Sequence, residues 1–255
     1  YKNLYKDQEF GDTYDPATGS VTFAVTDIDI PGNSSLPVSL SRWVPSDDLR
    51  TGGFGKGSSW YWDIPVIKAN YIDRNPYLTN SSWIDVTFPQ GGWYSGKNCS
   101  QTFSPSVVVH NREYSHAVLP WFYWDGKLLH IPGKTTEKFL EANYSDPYLS
   151  NTQVTKSNYK VVECIALEDN QEGFVVKGPD GTKYTFSKVK SYYTGAISPA
   201  MNSPVTTFTK LILVTEIEDR FGNKVNYEYS GPDGNLSAIV GSDGRRIDIV
   251  YKSYT

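Results

Sequence analysis

The chain has 255 residues, 24 of them basic and 28 acidic, for a net charge of −4. With no basic run of five, it lacks the electrostatic footprint of a phosphate-backbone binder. No apolar run approaches the ~20 residues that a membrane-spanning helix needs. Aromatic residues are abundant, with 19 Tyr, 11 Phe and 7 Trp against one Met, and together with Thr and Val they predict an all-β protein.

From the N-terminus, Tyr1-Lys-Asn-Leu-Tyr-Lys-Asp-Gln-Glu-Phe shows neither an initiator methionine nor a signal-peptide pattern. The end at Thr255 falls just after a repeat closes at Tyr251, and together these predict a processed piece of a longer polypeptide. A strand-like run follows Asp15-Pro-Ala-Thr-Gly19 and carries Asp27 and Asp29, two apart and therefore on one face. Such a pair suits Ca²⁺ or acid–base work, and suits equally a wet face opposite Ile28 and Ile30 or a cap on the turn before Pro31-Gly32. Gly53-Phe-Gly55-Lys-Gly57 has Ser58 where a dinucleotide loop needs its third glycine, so it reads as a bend between closely approaching backbones.

Aromatic residues concentrate in residues 60–124, at Trp60, Tyr61, Trp62, Trp83, Trp93, Tyr94, Trp121 and Trp124. Rings beside Asn, Ser and Asp suit sugar stacking, which makes Trp60, Trp62, Trp93, Trp121 and Trp124 candidate stacking residues; the same rings also serve as β-sheet core. Cys99 and Cys164 either form a disulfide, which suits an exported protein, or stand as two separate buried thiols. Cys164 lies in Val-Val-Glu-Cys-Ile-Ala-Leu, an apolar strand-like run that reads as core and not as an activated thiolate. His110, His116 and His130 fit no zinc spacing, and Gly133-Lys134-Thr135 lacks the leading glycine of a phosphate loop because Leu128 stands there. The sequence predicts no metal and no cofactor. Thr136 to Asn143 is the one stretch with a short helical pattern.

Asp-Gly pairs between apolar runs predict β-hairpins at Phe122–Ile131 (Asp125-Gly126) and Val175–Phe186 (Asp180-Gly181), the glycine and its neighbour supplying the positive φ of a tight turn. Near the C-terminus two such units lie 22 residues apart. Val214-Thr-Glu-Ile217-Glu-Asp219-Arg-Phe-Gly222-Asn-Lys-Val225-Asn-Tyr227-Glu-Tyr229 aligns with Leu236-Ser-Ala-Ile239-Val-Gly-Ser-Asp-Gly244-Arg-Arg-Ile247-Asp-Ile249-Val-Tyr251. Each reads as strand, glycine turn, strand, with apolar residues two apart on one face. A fixed period is the mark of a repeat array, whose units bury their apolar faces against their neighbours.

The first unit, with Asp219-x-x-Gly222 followed by Tyr227-Glu-Tyr229, resembles the YD repeat of RHS-repeat proteins, a group that spans bacterial polymorphic toxins, insecticidal toxin-complex B/C components and teneurins. The second unit departs from that motif, with Gly241 in place of the Asp. The N-terminal segment is similar to the opening of RHS shells: Asp27-Ile-Asp-Ile-Pro31-Gly32, then Leu36-Pro-Val-Ser-Leu-Ser-Arg42-Trp43, then Gly53-Phe-Gly55-Lys-Gly57. Trp43 stands near the usual Tyr, and Ser58-Ser59 separates Gly57 from Trp60. The resemblance covers roughly residues 13–67 and 170–255 and leaves the middle unassigned.

The resemblance implies a lead-in over residues 1–70, an aromatic-rich β cap over 71–170 and YD-type hairpins over 171–255 that start a spiralling shell. It marks Ile217, Asp219, Gly222, Tyr227, Tyr229, Ile239, Gly244, Ile249 and Tyr251 as structural repeat positions. It further implies a non-catalytic scaffold whose partners are downstream repeats and a C-terminal effector, often a toxin, of the same polypeptide, exported by a bacterium to its surface or beyond. Neither Asp15-Pro nor Asp146-Pro fits the paired Asp-Pro-x-Gly autoprotease motif of toxin shells. A carbohydrate-binding or adhesion module that recognises cell-surface glycans is the alternative, with a glycosidase third.

Overall fold

A computed structural model describes residues 12–15, 20–32, 36–44, 60–72, 84–87, 96–100, 108–111, 126–134, 136–141, 153–197, 205–231 and 234–252. Over these residues the protein is almost wholly β, and every strand pairing is antiparallel. Strands β1 (Asp12–Asp15), β2 (Ser20–Ile30), β3 (Val38–Val44) and β4 (Tyr61–Trp62) pair in that order as an N-terminal sheet. Strand β5 (Val66–Ile72) leaves this sheet for a larger one, while β6 (Ile84–Thr87) and β7 (Val108–Asn111) form a ribbon. Strand β8 (Leu128–His130) lies between β5 and β9 (Glu137–Lys138).

The larger sheet then runs in chain order through β10 (Leu140–Glu141), β11 (Gln153–Val154), β12 (Lys160–Ala166), β13 (Glu172–Lys177) and β14 (Lys183–Ile197). It continues through β15 (Val205–Glu218), β16 (Lys224–Ser230), β17 (Asn235–Gly241) and β18 (Arg246–Asp248), curling into a half-barrel. The long β14–β15 pair has three register shifts, which bend strands and increase their twist. Inside the curl lie Ile67, Leu129, Phe174, Phe186, Ile212, Val214, Val225 and Ile239, joined by Leu36, Val38 and Leu40 from the N-terminal sheet.

Both C-terminal units are hairpins of this one sheet. Unit one is β15–β16 and unit two β17–β18, and they join through β16–β17, where Tyr227 faces Ile239 and Val225 faces Gly241. The Val175–Phe186 hairpin is β13–β14. All three turns share one backbone plan. The residue at position i donates its amide to i+4 and accepts from the glycine at i+3: Gly178 with Thr182 and Gly181, Asp219 with Asn223 and Gly222, Gly241 with Arg245 and Gly244. The i+3 glycines have φ of +91°, +85° and +90°. This is the three-residue loop that ends in a left-handed glycine.

The Asp of the Asp-Gly pair therefore does not supply positive φ, as the sequence reading expects; among the described residues neither Asp180 nor Asp243 has it. It works as a side-chain acceptor instead. Asp180 Oδ1 takes the Thr182 amide at 3.0 Å and Asp243 Oδ1 the Arg245 amide at 3.3 Å. In unit one the acceptor sits at position i, where the buried Asp219 takes the Phe221 and Asn223 amides and the Asn223 side chain.

Two further expectations are corrected. Over the described part of Thr136–Asn143 there is no helix: Glu137 and Lys138 pair with Leu129 and Leu128, Leu140 and Glu141 with Val154 and Gln153, and Phe139 is buried between the two short strands. Strand partners here override a weak local helical pattern. Cys164 and Val162 are exposed on β12, and of this apolar run Val161 alone joins the core. Half of the Phe122–Ile131 candidate lies outside the described residues; the other half, β8, pairs with β5 and β9.

The repeat extends to a side chain. Tyr229 hydroxyl donates to the Val214 carbonyl at 2.6 Å, and Tyr251 hydroxyl to the Leu236 carbonyl at 2.9 Å, both across a separation of 15 residues. Val214 lies where β15 passes from pairing with β5, through Leu213, to pairing with β16, from Glu216. A carbonyl at such a fork falls between two ladders, and the tyrosine supplies its donor. Replacing Tyr229 by Phe is expected to cost about 1–2 kcal/mol in urea unfolding, because a buried acceptor loses its partner. Tyr251→Phe is expected to cost less, since Tyr251 is 40% exposed.

Candidate functional site

The seam where the N-terminal sheet covers the second repeat unit is the most elaborated polar arrangement among the described residues. Leu36, Val38 and Leu40 are buried as β3 lies against β17 and β18. Arg245, one residue past the turn glycine, reaches into the lead-in: Nη1 donates to the Ile30 carbonyl at 2.8 Å and Nη2 to the Leu36 carbonyl at 3.2 Å. Its Nε is held by Asp243 Oδ2 at 2.7 Å, which fixes the fork before it meets the backbone. The guanidinium fills the place a Cβ would take on Gly32, so that residue is Gly because the arginine passes there. A Cβ on Gly241 would sit 2.6 Å from Asp243 Oδ1 and 3.0 Å from Val38 Cγ2. The second unit thus departs from the Asp-x-x-Gly pattern at the position that touches the lead-in.

The seam continues along β4 and β8. Trp62 Nε1 donates to Tyr251 hydroxyl at 2.9 Å, so the repeat tyrosine is held from both sides. Asp63 Oδ1 lies 2.7 Å from His130 Nε2, while His130 Nδ1 lies 3.1 Å from Thr136 Oγ1. The imidazole stacks on Trp43 with centroids 5.0 Å apart. A hydroxyl, an imidazole and a carboxylate in line resemble a nucleophile relay, but this ring is buried against Trp43 and ties β8 to the end of β4. Burial, and then the Asp63 charge, push the Tyr227 phenol above its ordinary range; burial, and then Tyr227 and Tyr251, do the same to Tyr229. Both tyrosines are therefore neutral throughout the physiological range.

Asp27 is the bulged residue of the β2–β3 pair, and Arg42 grips it with two bonds of 2.6 and 2.7 Å while lying over the Trp60 ring. Its carboxylate is thus the ion-pair partner of Arg42 within the β2–β3 pair. Trp60 and Trp62, candidates for sugar stacking, are engaged within the chain in this way; Trp93, Trp121 and Trp124 lie outside the described residues. A separate cleft of about 320 Å³ is lined by Leu129, Ile131, Lys134, Glu137, Ser157 and Tyr159, and its Glu137 is committed to the amide and hydroxyl of Ser157. No group of His, Cys, Asp and Glu suited to a metal ion occurs among the described residues.

A second polar centre surrounds Cys99, which is bonded to Cys164 with Cα atoms 5.5 Å apart. The bond closes 65 residues of chain, worth about 4 kcal/mol by loop entropy. Beside it Lys210 Nζ donates to Asn98 Oδ1 at 3.0 Å and to Gln171 Oε1 at 3.3 Å, beneath the Tyr71 ring. Lys127 Nζ donates to Gln153 Oε1 at 2.8 Å, and Gln153 Nε2 to the Cys99 carbonyl at 2.7 Å. Glu172 receives the Ser100 and Cys99 amides; burial raises its carboxyl, but these donors and Lys97 outweigh it and leave it below the usual range. No sequence pattern announces this network, since each member is an isolated Lys, Asn or Gln brought together across long separations.

The predicted repeat residues Ile217, Asp219, Gly222, Tyr227, Tyr229, Ile239, Gly244, Ile249 and Tyr251 all fall in or beside β15–β18, and of these Tyr251 bonds across the seam to Trp62. Arg245 and Gly32 complete it, and the sequence reading does not single out their pairing. In comparison with known proteins, residues 11–78 match DUF6531, a domain of unknown function. No curated protein matches the chain.

Gly32→Ala should displace the Arg245 guanidinium from its two carbonyls and lower stability by about 1–3 kcal/mol, read as a drop in Tm. A second expectation concerns pH. Burial pushes the Lys210 ammonium down to about 8. An unfolded lysine titrates near ~10.4, so between these values the unfolded chain holds the extra proton and stability rises with pH. The gain from pH 8 to pH 10 should be about 1–3 kcal/mol and should vanish in Lys210→Met.

Proposed function

We propose that the chain is the opening, capping section of an RHS/YD-repeat shell: a non-catalytic scaffold that starts a spiralling β-wall around a C-terminal effector of the same polypeptide. The carrying observation is that two consecutive units stack in one sheet with the same tyrosine-to-carbonyl bond, while the N-terminal segment folds over the second of them. The DUF6531 match spans the same N-terminal segment that resembles the opening of such shells. A repeat array needs a cap because a terminal unit otherwise leaves its apolar face in water.

The other requirement is an edge on which the next unit builds. Ile249 donates to Ser237 and Gly241 to Arg245, so odd-numbered amides of the last hairpin point inward. The amides of Arg246 and Asp248 then point away from β17, as a following strand requires. On this reading the wall acts sterically, keeping the effector from the producing cell and from proteases until delivery, and the chain itself performs no reaction.

The test is sedimentation of the wild-type chain beside Asp248→Pro, which removes an outward donor without touching the inward bonds. The reading expects concentration-dependent association that the substitution abolishes while far-UV circular dichroism stays unchanged. A monomeric wild type that binds oligosaccharide, with binding lost in Trp62→Ala, would instead support the glycan-binding alternative.

A further inference from the structure

The segment Gly96–Ser100 is held by one covalent bond and by hydrogen bonds from several strands. Cys99 is fully buried, whereas its partner Cys164 is exposed on β12. Glu172 of β13 accepts from the Cys99 amide at 3.2 Å, the Ser100 amide at 2.8 Å and the Ser100 hydroxyl at 2.9 Å. In return the segment gives acceptors to two buried lysines: Asn98 Oδ1 to Lys210 directly, and the Cys99 carbonyl to Lys127 by way of Gln153. Lys127 and Lys210 are 2% and 4% exposed, so this small segment helps to keep two cations out of water.

We propose that the Cys99–Cys164 bond is a thiol-addressable latch: a small thiol of the glutathione class, or a dithiol reductant, exchanges at Cys164 Sγ, releases the 96–100 segment and uncovers Lys210 and Lys127. The asymmetry of burial fixes the direction. A thiolate approaches Cys164 Sγ from solvent, the Sγ–Sγ bond breaks, and its electron pair leaves on Cys99 Sγ, which takes a proton from water. The reagent sulfur is now bonded to Cys164. A second thiolate attacks that reagent sulfur, so Cys164 leaves as a thiolate and the two reagent thiols emerge as a disulfide. Attack on Cys99 Sγ requires the segment to open first.

Release then gains from the lysines. While the segment is seated both ammonium groups are held out of water, and burying a cation costs desolvation even where amide oxygens accept from it. Once the covalent tie is gone, water can replace the amide acceptors, and hydration of two cations favours the open form. Disulfides persist in exported proteins and are reduced in the cytosol, so the latch distinguishes those compartments. The latch operates whether or not the chain opens a shell.

The test uses the whole chain and two readouts. Limited exposure to reduced glutathione, followed by peptide mass spectrometry, should place the adduct on Cys164. Full reduction should raise acylation of Lys210 and Lys127 by an N-hydroxysuccinimide ester, at fixed neutral pH, by roughly tenfold or more, as expected for local opening. Asn98→Ala, with the disulfide intact, should raise acylation at Lys210 alone and by less, which separates loss of one acceptor from release of the segment. An adduct chiefly on Cys99, or Lys210 acylation unchanged after full reduction, would overturn the proposal.

Discussion

The fold depends on a tyrosine hydroxyl returning to a carbonyl fifteen residues earlier in the chain, made once by Tyr229 and once by Tyr251. A hairpin of this size cannot bury its apolar face alone, and a strand that changes partners leaves a carbonyl between two ladders. At Val214 the strand β15 changes from β5 to β16, and Tyr229 satisfies the acceptor exposed by that change. The ring that reaches across also packs against the core. One side chain therefore closes a unit, satisfies its backbone and supplies apolar area. That the same bond recurs at Leu236 makes the 22-residue period a mechanical period and not only a pattern of letters.

The N-terminal sheet acts on the same elements. Tyr251 closes the second unit and also receives Trp62, so the lead-in grips the repeat through the atom that defines it. Arg245 makes the complementary grip through two backbone carbonyls, which accept regardless of the side chains there. Gly32 and Gly241 are small because these contacts leave no room for a Cβ. The second unit has Gly241 where the first has Asp219, and its turn acceptor is Asp243, which steadies both the turn and the arginine. The glycine at 241 and the close approach of β3 are one structural fact.

Strand patterning was legible from the sequence because period-two alternation in Val225, Tyr227 and Tyr229 is a local property. The glycines at 181, 222 and 244 were legible for the same reason, since only positive φ explains them at that spacing. The roles of Asp180 and Asp243 are not local: the Asp-Gly pair serves two turn types, and loop length, which selects between them, is a property of the pairing. The Thr136–Asn143 pattern failed because partners β8 and β11 come from other parts of the chain. Cys164 reads as core because its run is apolar, yet most of β12 meets solvent. The pairing of Arg245 with the lead-in and that of Lys210 with Asn98 span 215 and 112 residues, and no window-based reading reaches them.

The central claim is that the two units and the N-terminal sheet packed on them form a single cooperative body. Native-state hydrogen exchange, resolved to single amides, tests it most directly. The account predicts that amides of Ile212, Val225, Tyr227 and Ile239 share the slowest exchange class, and that Arg245→Ala accelerates all four together with those of β3. If β17 and β18 exchanged as a faster, separate unit whose rates ignored that substitution, the account would be contradicted.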